Sequence, residues 1–260
     1  MALAGTASAH DTWFTLLPGA AGRQLLALGT GNQFPAQEFA VGPEHLDRQG
    51  CADAAGAVLP MTPSVGNATA LHLQAPNTAA GASTGLSCWA QLLPHEIELL
   101  ADKVRLYLDE IQAPPAVRAA WASMQTRGLP WRERYTKHAR IELPGSLPAK
   151  ASPRAARESG MAMDMLIQSA PAGLRAGAEI VVKVLRNGQP LAGLAVQLRS
   201  ELSPIGLWQQ TDAQGRVRLR PPLPGRWLLR GTELTAPVSG GTHWEGRFVT
   251  LAFEVATAAE

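Results

Sequence analysis

The side chains best suited to chemistry are the six histidines, and one of them stands where a mature chain could begin. Ala7-Ser8-Ala9 has the A-x-A form that signal peptidase cuts, and His10 follows it directly. Cleavage there makes His10 the first residue and frees its α-amine. An amino-terminal histidine is a strong chelator because the α-amine and the imidazole close one small ring around an ion. A second imidazole then completes a three-nitrogen site for copper or nickel. The α-amine titrates near pH ~7.7–8.0, so it is partly deprotonated under the conditions of an exported protein. The third residue of the mature chain is Thr12, so the square-planar motif that needs histidine at that position is absent. The further ligand has to come from the fold, and His138 and His243 are the candidates: His138 follows an Arg-Glu-Arg-Tyr run and His243 precedes Trp244. The expected metal set is therefore His10, His138 and His243. His72 falls in a strand pattern and His45 and His95 in loop-like contexts.

Other motifs say less. His95-Glu96 opens like a zincin helix, but Leu99 occupies the position of the second histidine. Met161, Met163 and Met165 alternate, so in a strand they share a face, where thioethers either fill a core or hold Cu(I); core packing is the better reading. There is no Gly-x-Ser-x-Gly elbow, phosphate loop or Cys-x-x-Cys, so nothing points to an enzyme. Trp13, Trp208, Trp227 and Trp244 read as core or sheet-edge aromatics.

The elements that must position these residues follow from composition and period. Apolar residues make up 46% and charged residues 17%, with 25 Gly and 20 Pro, which suits many short strands joined by turns. A net charge of +2 gives no field that would recruit nucleic acid, and no apolar run is long enough for direct membrane insertion. Cys51 and Cys88 permit one disulfide in an oxidising compartment; two buried thiols are the alternative. Strand patterns cover 11–17, 24–28, 70–73 and 86–93, and residues 35–68 read as loop-heavy. Helical spacing sets in at Ile97 and recurs through 116–126 and again over Trp131–Arg140. Strand signals resume beyond residue 160, with Asn187-Gly188 suited to a two-residue hairpin turn.

The chain is thus expected to be mainly β. Residues 1–9 are a signal-peptide remnant and 10–143 an N-terminal β domain with a helical segment over about 97–140. Residues 144–160 form a linker, and 161–260 an immunoglobulin-like or transthyretin-like β-sandwich.

Several fragments accumulate in order: Ala9-His10-Asp11 with Trp13, Arg132 to Arg140, Gly188 to Gly193, Thr211 to Gly215, Pro224 to Trp227, and a closing run from Trp244 to Phe253. Together they resemble a periplasmic domain-of-unknown-function family formerly described as a nickel-transport component of the NikM or NikK type. The resemblance implies a periplasmic metal-binding or metal-delivery accessory protein. Its ion would be divalent, nickel or cobalt before copper, and its partner an inner-membrane metal transporter. The alternative is an adhesion or scaffold sandwich that binds protein or glycan and needs no metal.

Overall fold

The structure is a computed structural model that describes residues 10–18, 24–53, 56–76, 85–143, 159–169, 174–238 and 241–258. The expected signal remnant and residues 144–158 of the expected linker lie outside the described residues.

In chain order the first half contributes β1 (Asp11–Leu17), β2 (Leu25–Gly31), β3 (Phe39–Ala40), β4 (Leu46–Ala52), β5 (Val58–Leu59), β6 (Thr62–Ser64), β7 (Leu71–Gln74), β8 (Ser87–Leu92) and β9 (His95–Leu99). Helices α1 (Ala101–Glu110) and α2 (Pro115–Thr126) follow, and then β10 (Trp131–Glu142). The second half supplies β11 (Met163–Ile167), β12 (Ile180–Arg186), β13 (Gln189–Pro190), β14 (Ala195–Ser200), β15 (Ser203–Gln210), β16 (Arg216–Leu219), β17 (Gly225–Thr235) and β18 (His243–Val255). The mainly β class, the helical insertion and the C-terminal sandwich are all present.

Among the described residues these strands form three sheets. The central one has nine strands in the order β15-β14-β17-β18-β10-β8-β4-β5, with β9 also on β10. Its middle is the parallel pair β10 and β18, in register from Arg132 opposite His243 to Ile141 opposite Ala252. One sheet therefore runs through both halves of the chain. Its middle strands bury residues on both faces, whereas the outer strands β9 and β15 are largely exposed. Leu228 and Ala252 enter a core shared with Trp13, Phe14 and Leu26 of the small sheet β1-β2-β7-β6. Leu229 and Leu251 enter the opposite core, against Met163, Met165 and Val182 of the sheet β11-β12-β13. The alternating methionines are core residues, as expected. Cys51 and Cys88 face each other across β4 and β8 and form a disulfide with Cα atoms 3.9 Å apart.

The helices cover a third apolar face. Pro115 starts α2 at a position that has no intrahelical N–H bond to lose. Gly128, at φ +68°, ends it, with Leu129 N–H bonded back to Met124 O. Val104, Tyr107 and Leu108 of α1 and Val117, Trp121 and Met124 of α2 pack on Trp131, Trp244 and Phe248. The Trp131 and Trp244 rings stack at 4.3 Å.

Two expectations need correction. The helical segment expected over about 97–140 starts only at Ala101 and ends at Thr126: Ile97–Leu99 belong to strand β9 and Trp131–Arg140 to strand β10. The four-residue spacing of Trp131 and Tyr135 fits either period. Burial of Trp131 and Glu133 between exposed Arg132 and Arg134 shows the period of two that the sheet selects. Second, Asn187-Gly188 does turn the chain with both φ positive, at 48° and 74°, but the return strand is the two-residue β13. The longer strand that follows, β14, lies with β15 and β17 in the central sheet and does not pair with β12. No described helix is long and apolar enough to cross a membrane.

Candidate functional site

His10 sits immediately before β1, whose pairing with β2 sets Asp11 opposite Gly31 and brings Asn32 alongside the histidine. Strand β3 pairs with β2 and adds Glu38 and Phe39. The His10 Nε2 atom lies 3.0 Å from Asn32 Nδ2 and 3.9 Å from Glu38 Oε2. The imidazole also meets the Phe39 ring edge-on at 5.6 Å. Asn32 is itself fixed to Glu38, through its backbone N–H at 3.0 Å and its side-chain amide at 3.2 Å. With side-chain exposures of 22% and 39%, His10 and Glu38 keep access to solvent while being held in place.

The backbone beneath the imidazole is pinned twice. Lys137 Nζ donates to the His10 carbonyl at 2.9 Å. The next residue, Asp11, pairs with buried Arg230 at 2.8 Å, and Arg230 also donates to the Glu110 carbonyl and to Gln197 Oε1. The start of β1 is thereby anchored to β10, β17 and the end of α1.

The other two expected ligands are placed apart from His10. Side chains alternate along β10, so while Lys137 reaches His10, His138 points to the opposite face of the sheet. There its Nδ1 bonds to the Phe248 carbonyl at 2.9 Å, and Nε2 is buried without a hydrogen-bond partner among the described residues. Burial is the main influence on His138 and lowers its pKa to about 4, so the ring is neutral. His243 starts β18 in the open, with Nδ1 3.2 Å from Thr242 Oγ1. Since Arg132 pairs with His243 and His138 with Val249, six residues along the strand separate the two histidines, roughly 20 Å. Among the described residues no three His, Cys, Asp or Glu side chains gather as a metal cluster.

Asn32, Glu38 and Lys137 were absent from the sequence-derived set. Gly29 and Gly31 mark the end of β2 just before Asn32, but nothing in the sequence shows that β3 returns Glu38 to that corner. The donor set suits a chelating terminal histidine. Ligating imidazoles characteristically turn their second ring N–H to an acceptor. On the Nε2 side of His10 the acceptor is the Glu38 carboxylate at 3.9 Å, whereas Asn32 Nδ2 at 3.0 Å is a donor, so Nε2 accepts from it and the ring proton sits on Nδ1.

Comparison with known proteins adds little chemistry. Residues 146–232 match the family described as "Domain of unknown function (DUF4198)", over less than half of the chain. No curated protein matches. Among solved structures, the chain is similar to a tetra-tandem repeat in the extending region of a large adhesion protein, at 10% identity and a TM-score of 0.24. That alignment covers 95% of this chain and 49% of the other, so the chain spans about half the length of that protein. At such a TM-score the likeness carries no argument about fold or function.

Proposed function

We propose that the chain is a periplasmic metal-binding or metal-delivery accessory protein. A mature amino terminus at His10 holds a divalent ion, nickel or cobalt before copper, for an inner-membrane transporter. The observation that carries this reading is the built corner around His10. The imidazole has Asn32 and Glu38 on its Nε2 side, and the backbone is fixed by Lys137 and by the Asp11–Arg230 pair. Nδ1 and the α-amine released by cleavage after Ala9 are then the two atoms that close the chelate ring. With Nδ1 on the ion the ring proton is carried by Nε2, and Glu38, 3.9 Å away, is the acceptor to which that N–H would turn. His138 and His243 take no part at this corner.

Calorimetric titration of Ni²⁺ into the chain beginning at His10 tests the proposal. Stoichiometric binding is expected to disappear in His10→Ala and in a form that keeps residues 1–9, and to weaken by roughly 10–100-fold in Glu38→Gln. Binding unchanged by retention of residues 1–9 would overturn the terminal chelate.

A second reading, a non-metal scaffold or adhesion module, draws on one feature. The edge strand β15 and its approach expose Leu202, Ile205 and Leu207 at 64%, 73% and 43%, an apolar edge open to a partner. A form that binds no metal but assembles through β15 would favour it.

A further inference from the structure

A cleft of about 180 Å³ opens next to the His10 corner, where β2 and the chain after β3 approach the turn between β8 and β9. Val41 and Leu92 give it an apolar wall, and exposed His45 and His95 stand at its mouth. Tyr135 and Lys137 are two residues apart on β10, so both face the cleft. The His95 and Tyr135 rings lie 5.5 Å apart, and Lys137 Nζ is 5.6 Å from the centre of the Tyr135 ring.

The ammonium of Lys137 is half-buried yet lacks the carboxylate that the two fully buried arginines of the described residues have. Arg140 is held by Asp164 at 2.6 Å and Arg230 by Asp11 at 2.8 Å. Among the described residues no carboxylate comes within ion-pair distance of Lys137; its hydrogen-bond acceptor is the neutral His10 carbonyl. Asp11, the acid that acts on it, is already committed to Arg230. An ammonium carries three donors, and a cation withdrawn from water without a counter-charge favours an anionic guest.

We propose that this cleft binds a small organic carboxylate, with the carboxylate on Lys137 Nζ between His45 and His95 and the apolar body against Val41 and Leu92. The wall selects an organic acid over an inorganic oxyanion. The single ammonium lacks the guanidinium fork that favours phosphate. The inference needs neither cleavage nor an ion, so it can fail or hold separately from the metal reading, although the Lys137 ammonium also holds the His10 carbonyl there.

Chemical-shift titration of the full chain in chelator-containing buffer tests it, with benzoate, benzamide and inorganic phosphate as probes. Benzoate is expected to saturate at millimolar concentration and to shift Tyr135, Lys137 and His95. Benzamide should bind at least about tenfold more weakly and phosphate should give no saturable response, since the charge-assisted bond and the apolar wall must both be engaged. Lys137→Met should weaken benzoate by about tenfold or more, and His95→Ala by severalfold. Equal binding of benzoate and benzamide, an equal response to phosphate, or no saturable shift in the unaltered chain would each overturn the proposal, even if Lys137→Met fails to fold.

Discussion

The Tyr107 hydroxyl donates to Glu133 Oε1 at 3.0 Å, tying helix α1 to the middle of the central sheet. The other carboxylate oxygen accepts from Trp131 Nε1 at 3.0 Å. Glu133 is fully buried, and a side chain at Gly246 on the neighbouring strand would collide with its carboxylate. Both donors are neutral, and Glu245 adds repulsion from β18. Desolvation dominates and raises the Glu133 pKa from 4.5 to about 7, against the lowering effect of the two hydrogen bonds.

That shift gives a pH dependence of definite sign. The folded chain holds the Glu133 proton more tightly than the unfolded chain. Its stabilising contribution is complete below about pH 4.5 and is lost as pH rises to about 7, by roughly 3 kcal/mol. His138 acts oppositely, because its lowered pKa costs stability as pH falls from 6.5 towards about 4. The difference between wild type and Glu133→Gln isolates the glutamate. The amide mimics the protonated acid, so urea unfolding should show the variant gaining on wild type across this window and holding its lead above it. Parallel curves would contradict the assignment.

The Asp11–Arg230 pair should be costly to break from one side. Asp11→Ala leaves a buried guanidinium that keeps, among the described residues, Glu110 O, Gln197, the more distant Glu110 carboxylate and the Trp208 ring, and is expected to lower stability by about 3–5 kcal/mol. Replacing both partners by apolar residues should cost much less. A loss below about 1 kcal/mol for Asp11→Ala alone would show that the pair does not anchor β1.

The Cys51–Cys88 bridge closes a separation of 37 residues, which corresponds to about 4 kcal/mol from loop-closure entropy. Denaturant midpoints measured with and without reductant should differ accordingly. An unchanged midpoint would mean that the β4–β8 pairing holds without the bridge.

Local patterns made much of this fold legible. Three-and-four spacing found α1 and α2, and Asn187-Gly188 found the turn that follows β12. The failures were non-local. Trp131–Arg140 became a strand because β18, over a hundred residues away, pairs with it, and no local spacing announces that partner. β4 lay hidden in a Pro- and Gly-rich stretch, since its pairing with β8 is likewise distant in sequence. The site divides in the same way. His10 stood out from the residues before it, whereas Asn32 and Glu38 reach it only through β1–β2–β3 pairing. The face that His138 occupies depends on a register that changes sides with each residue.

Anomalous scattering from a nickel-loaded crystal of the chain beginning at His10 tests the central claim most directly. The ion is expected about 2.0–2.1 Å from both Nδ1 of His10 and the terminal amine, with Glu38 and Asn32 on the opposite, Nε2 side of the ring. A peak at His138 or His243 instead, or none at His10 under saturating nickel, would contradict it.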